Sequence, residues 1–190
     1  MGLLTEFTWD SRDLELWRGE QVDKALARAT KKAGGKALRS MRTDASKTVR
    51  DQRKMTSARV NSALGLVFPT SKEISRLAWK LDISGALVPV SAFPHRQTKT
   101  GVRVEIKPGS KKTIRSAFIA RMASGHVGVF QRKGKASLPI KEAFTTRVSS
   151  LFLVEENRER VMAKVQDNFD SAFRKAFGNE VGKLRRKGMA

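Results

Sequence analysis

Apolar residues recur every three or four positions in the first third of the chain and again near its end. Between these stretches they recur every second position. Val22, Leu26, Ala29 and Ala33 open a helical stripe, and Leu38, Met41, Ala45, Thr48 and Val49 continue it. Gly34-Gly35 interrupts the stripe. Each glycine costs a helix interior about 1 kcal/mol relative to alanine, so a kink or break is expected there. Thr56 or Ser57 stands where a cap would open a further short helix over Val60, Ala63 and Leu64, with Gly65 closing it.

Phe68-Pro69 marks the exit from helix. Leu77, Trp79, Leu81 and Ile83 alternate with polar residues and favour a strand over 77–83, and Leu87-Val88-Pro89-Val90 reads as short and extended. Ala92 to His95 reads as a turn. Val102, Val104 and Ile106 define a strand within 98–107, ended by the turn Pro108-Gly109 and a basic loop at Ser110 to Lys112. Two apolar-alternating runs joined at Ser124-Gly125 then predict a hairpin. Phe118, Ala120 and Met122 share one face of its first run. Val127, Val129 and Gln131 share a face of the second, with Phe130 opposite. A basic glycine-containing loop and a proline-anchored exit at Leu138-Pro139-Ile140 follow.

The helical period returns after this. Residues 148–152 read as loop or as a first helical turn. Glu155, Glu156 and Glu159 load a helix start, where the macrodipole favours negative charge. Val161, Val165, Phe169, Ala172, Phe173, Ala176 and Phe177 form the apolar stripe, and Gly178 fits a C-cap. The order of helices, short strands, then a helix predicts an α+β fold: one small antiparallel sheet of four or five strands, with long N-terminal and C-terminal helices packed on it. The expected organisation is an acidic N-terminal arm (1–17), one domain (18–177) and a basic tail (178–190). The domain comprises a basic helical region (18–66), the sheet (74–140) and the C-terminal helix (153–177).

Charge narrows the choice of partner. The 190 residues carry 39 Lys and Arg against 18 Asp and Glu, a formal charge of +21. Such an excess repels itself and seeks a polyanion or an acidic protein. There is no cysteine, which removes disulfides, thiol chemistry and cysteine-bound zinc. There is no apolar run of the length a membrane span needs. The acidic start MGLLTEFTWDSRDLELW predicts neither a signal peptide nor myristoylation.

Candidate chemistry is sparse. His95 and His126 each lie beside a turn signal, and neither has a second ligand at metal spacing. Asp82 and Glu105 stand alone between Glu73 and Glu142, whereas a metal-dependent nuclease gathers carboxylates. No nucleotide-binding or hydrolase motif is present. No enzyme activity, metal or cofactor is therefore expected. The basic residues remain. Residues 18–66 hold thirteen Lys and Arg against Glu20, Asp23, Asp44 and Asp51. A second cluster, Arg96, Lys99, Lys111, Lys112, Arg115, Arg132, Lys133 and Lys135, is expected in loops at the ends of the sheet, facing DNA or lining a positive lumen. A third is the tail Lys183, Arg185, Arg186 and Lys187. There is no tyrosine and little aromatic interleaving, so any DNA contact is expected to be phosphate-directed and non-specific.

The succession AFIA, turn, G-V-F-x-R-x-G-K and L-P-I within Ser116–Ile140 resembles the minor tail protein Z family of long-tailed bacteriophages, which are tail completion proteins. The likeness extends to ALARATKKAGGKALRS, KTVRDQRKMTSARV and RERVMAKVQDNFDSAFRKAF. The acidic, tryptophan-bearing arm and a shorter basic insertion in the middle depart from the family. The resemblance implies a structural virion protein without catalytic residues, assembled in the host cytoplasm into the head-proximal end of the tail. Its implied partners are its own copies in a ring, with six-fold symmetry expected from that of tails, the tail terminator and tail tube proteins, and the viral DNA end. Phe118, Ile119, Val129 and Phe130 are the expected subunit contact, because Phe118 and Phe130 read as standing on faces that one small sheet does not easily cover together. The alternative is a basic nucleic-acid-binding protein of nucleoid or ribosomal type, acting as a monomer or dimer.

Overall fold

The computed structural model describes residues 3–8, 20–71, 73–134 and 136–187. The fold is α+β, with two long helices and small antiparallel sheets. Strand β1 (Leu3–Thr8) opens the described chain and pairs antiparallel with β3 (Ala78–Ile83), so part of the expected N-terminal arm is built into a sheet. Residues 9–19, the rest of that arm, lie outside the described residues.

Helix α1 (Glu20–Gln52) is one uninterrupted helix of 33 residues. The expected break at Gly34-Gly35 does not occur. Trp79 of β3 explains why: its indole lies where a Cβ on Gly34 would stand, so the missing side chain is filled by a ring from the sheet. Packing against Trp79, itself buried, outweighs the poor helix propensity of the pair. A short helix α2 (Ser57–Ser62) follows, and Thr56 caps it by accepting from the Arg59 amide at 3.4 Å. Gly65 does not close that helix. It lies in strand β2 (Leu64–Val67), opposite Asp82 of β3, and completes the sheet β1-β3-β2.

The remaining strands form three further small sheets rather than joining a single one. Strand β4 (Leu87–Pro89) pairs with β11 (Phe144–Arg147). Strands β5 (His95–Thr98), β6 (Gly101–Lys107) and β7 (Ser110–Arg115) form a meander. The predicted hairpin is β8 (Ala117–Arg121) with β9 (Val127–Arg132), extended by β10 (Ile140–Glu142).

Helix α3 runs Glu155–Arg186 and does not end at Gly178. Its last turns stay helical because they dock on α1. Leu184 is buried, and Glu180 receives Arg28 of α1 at 3.4 Å and Lys183 at 2.6 Å. The expected basic tail is thus largely helix. Pairing runs in reverse order along the two helices: Arg28 to Glu180, Ser40 to Asn168 at 2.9 Å, Gln52 to Asn157 at 2.6 Å. They form an antiparallel pair about 50 Å long at 1.5 Å per residue. Small buried residues on α1, namely Ala25, Ala29, Ala33, Ala37 and Ala45, line its inner side. Trp79 and Phe169 join the helix pair to the sheet, with ring centroids 6.2 Å apart.

Candidate basic surface

In an antiparallel ladder, residues directly opposite one another project from the same face, and successive residues alternate. In the meander, Val102 and Val104 of β6 point inward and are buried. The opposite face is therefore the outer one. It carries Arg96 against Arg103, Arg103 against Thr113, Lys111 against Glu105, and Arg115 against Gly101. Arg96, Arg103, Lys111 and Arg115 are all exposed. A shallow depression of about 290 Å³ opens among Arg96, Arg103 and Lys111.

This face is electrostatically one-sided. Among the described residues, none of the four cations has a carboxylate within ion-pair distance. Glu105, the one acid on the face, accepts the Gly109 amide of its own turn at 2.9 Å. Two arginines directly opposed across a ladder repel each other, which destabilises the bare sheet. An anion laid across both removes that penalty. Arg103 was not among the residues singled out from sequence. The period of Val102, Val104 and Ile106 held the signal, because it places Arg103 on the face opposite the core.

The expected cluster is thus partly assembled and partly dispersed. Arg96, Lys111 and Arg115 come together, but on strands rather than in loops at the sheet ends. Ser110 to Lys112 was expected as a loop and is the start of β7. The strand was hidden because it is an edge strand with a single apolar residue, Ile114, held by its ladder to β6. Lys112, next to Lys111, points to the other face of the meander. Lys99 lies in a turn, between β5 and β6. Arg132 belongs to the neighbouring sheet and lies over the Phe118 ring, 5.1 Å from its centroid. Lys133 is exposed just beyond β9, and Lys135 lies outside the described residues.

The hairpin residues expected at a subunit contact are mostly used within the chain. Val129 and Phe130 are buried, and Phe118 and Ile119 are half-buried. Phe118 and Phe130 are not on different faces. They are direct cross-strand partners with ring centroids 6.3 Å apart. The turn sets a register, not evident from alternation alone, that pairs Phe118 with Phe130 and Ile119 with Val129.

The helical run offers a second positive region. Lys32, Lys36 and Arg39 of α1 face Lys175 of α3 across a cleft of about 340 Å³. Arg39 is steadied by the Gly35 carbonyl at 3.3 Å and by the Phe68 ring, 5.6 Å from its centroid.

Both histidines have local partners: His95 contacts the Phe93 carbonyl at 2.7 Å, and His126 contacts Glu142 at 3.0 Å. Among the described residues no three His, Asp or Glu side chains gather in a way that could hold a metal ion. No described helix is long and apolar enough to cross a membrane. Comparison with protein-family models, with curated proteins and with solved structures found no match.

Proposed function

We propose that this chain is a structural protein of a bacteriophage virion, a tail completion subunit near the head-proximal end of a long tail. In this reading it lays the outer face of β5-β6-β7 against the phosphates of the genome end and makes the tail competent for joining the head. It has no catalytic role. The observation that carries the polyanion contact is the direct opposition of Arg96 and Arg103, flanked by Lys111 and Arg115, without a neutralising carboxylate among the described residues. The tail setting rests on the resemblance of the Ser116–Ile140 succession and its helical flanks.

Duplex DNA binding measured across a salt series tests the contact. Four phosphates neutralised give a slope of log K against log salt of about −3.6, at about −0.9 each. Arg96→Gln with Arg103→Gln should reduce the slope by about 1.8 while leaving the fold intact. An unchanged slope in this variant would return the four cations to a solvated face.

A second reading, a monomeric or dimeric nucleic-acid-binding protein outside a virion, draws support from the burial of Val129 and Phe130, which removes two of the expected ring contacts. Imaging of assembled particles separates the readings. A ring of copies at the head-proximal tail end supports the first, and a chain absent from purified particles but bound to bulk DNA supports the second.

A further inference from the structure

On the inner side of the β6-β7 hairpin lies a cleft of about 250 Å³ that stands apart from the outer basic face. We infer that this cleft is a binding site for a phosphomonoester. Arg53, Lys107 and Lys112 line it together with the hydroxyl residues Ser110, Thr145 and Thr146. They arrive from four segments: the residue that follows α1, and β6, β7 and β11.

Two irregularities in the strands create this convergence. On a regular strand, neighbouring residues point to opposite faces. The β11 register steps from Thr145 to Arg147 while β4 advances one residue, so Thr146 is an inserted residue and both threonines line the cleft. The β6 register steps from Glu105 to Lys107 while β7 moves by one, so Ile106 and Lys107 line it together. Bulges of this kind re-aim side chains and are common beside binding sites.

Every polar side chain of the lining can donate a hydrogen bond. Among the described residues, no carboxylate lies within ion-pair distance of Arg53, Lys107 or Lys112. The hydroxyls of Ser110, Thr145 and Thr146 likewise make no hydrogen bond among the described residues. Arg53 is half-buried and gives one donor to the Gln52 carbonyl at 3.0 Å, leaving the rest of its guanidinium available. Three cations without a counter-charge, one of them half-buried, favour an anion.

The number of donors selects the anion. A carboxylate offers two oxygens and one charge, and a phosphodiester in a backbone offers two free oxygens and one charge. A phosphomonoester offers three oxygens and a charge of about −1.5 to −2 near neutral pH, which matches three cations and three hydroxyls. The cleft exceeds the bare phosphate, and Val104 and Ile106 form an apolar wall for what the phosphate is attached to. Such a group is found at the 5′ end of a nucleic acid or on a free phosphorylated small molecule.

The test is calorimetry and thermal unfolding of the full chain at constant ionic strength, with chloride as the balancing anion. Inorganic phosphate should raise the unfolding temperature of the wild type above the chloride control. Lys112→Ala and the double variant Thr145→Val, Thr146→Val should each weaken phosphate binding by at least about tenfold, as expected for losing charge-assisted hydrogen bonds. Ser110→Ala serves in place of the double variant if that one does not fold. Lys164→Gln, an exposed cation of α3 outside the cleft lining, should bind phosphate as the wild type does. No phosphate effect in the wild type, equal binding by the cleft variants, or equal stabilisation by acetate would overturn the assignment. An oligonucleotide with a 5′-phosphate that binds at least about tenfold tighter than its 5′-hydroxyl counterpart identifies a nucleic-acid end as the source. Equal binding of the two oligonucleotides, with tight binding of a nucleoside monophosphate, identifies a small molecule. If neither preference is found, the phosphomonoester assignment is wrong.

Discussion

Gly34 and Gly35 are adjacent in sequence and both buried in α1, yet adding a methyl group at each should change stability in opposite directions. In a helix interior, Gly→Ala gains about 1 kcal/mol from propensity. At Gly35 the new Cβ meets only the Phe68 ring at 3.6 Å and the Arg39 guanidinium at 3.7 Å, both ordinary contacts. Gly35→Ala should therefore stabilise by about 0.5–1 kcal/mol, which at this chain length raises the melting temperature by about 1–4 °C. At Gly34 the Cβ would overlap the Trp79 indole, which is buried beneath the helix pair and touches Phe169. Forcing a methyl into a filled core costs about 1–3 kcal/mol and sometimes more. An overlap with a ring that has no exposed direction to move in belongs at or beyond the upper end. After the propensity gain is subtracted, Gly34→Ala should destabilise by about 2 kcal/mol or more, a fall of about 4–8 °C. Urea and thermal unfolding of both variants are the assay. Trp79→Leu makes a cavity of its own but removes the overlap, so Gly34→Ala should be neutral or stabilising in that background. Equal stabilisation by both glycine substitutions in the wild-type background would refute the placement of Trp79 against Gly34.

Phe169→Ala should cost about 3–5 kcal/mol, because Phe169 is buried and joins α3 to the sheet through Trp79. Phe173→Ala should cost clearly less, since Phe173 is only half-buried; equal losses in chemical denaturation would show that both rings are core. The Glu180 carboxyl is held below its ordinary value of 4.5, chiefly by the hydrogen bond from Lys183; burial opposes this, and Arg28 adds to it. A lowered value in the folded state means that its stabilisation is present in full above the ordinary value and is lost as pH falls through the lowered one. The stability gap between wild type and Glu180→Gln, below about 1 kcal/mol for so exposed a cation partner, should therefore close on acidification, and a gap that widened in acid would reverse the assignment. Gly101 lies at φ +153°, and a Cβ there would run into the Ile114 carbonyl, so Gly101→Ala should lower the melting temperature by disturbing the β6-β7 ladder.

The helical period was the most legible feature of the sequence, because α1 and α3 each bury one stripe along their length. Their limits were not legible. Gly34-Gly35 looks like a break until Trp79, distant in sequence, fills the gap, and Gly178 looks like a terminus until Leu184 and Glu180 are seen docked on α1. Local propensity cannot report a partner that arrives from another element. Strand β7 was hidden for the complementary reason: its lysines read as loop because an edge strand needs little apolar alternation. Of the basic surface, the charge excess was plain. Which cations share a face depended on register, and register depends on the turn and the bulges rather than on composition.

Lys111 and Lys112 concentrate that dependence into two adjacent residues. Strand alternation sends Lys111 to the outer face, beside Arg96 and Arg103, and Lys112 to the inner cleft, beside Arg53 and Ser110. Sequence alone treats them as one basic pair. With Lys111 opposite Glu105 and Lys112 opposite Val104, their roles separate completely. Lys111→Gln should reduce the salt slope of duplex binding by about 0.9 and leave phosphate binding in the cleft intact. Lys112→Gln should weaken phosphate binding while leaving the duplex slope near its wild-type value. Neither substitution disturbs the core, since both side chains are exposed. Measuring both ligands on both variants gives a four-way comparison in which a general loss of charge affects each variant alike. Identical effects of the two substitutions on both ligands would show that the protein presents a single diffuse positive surface, and would sink the division of this hairpin into two faces.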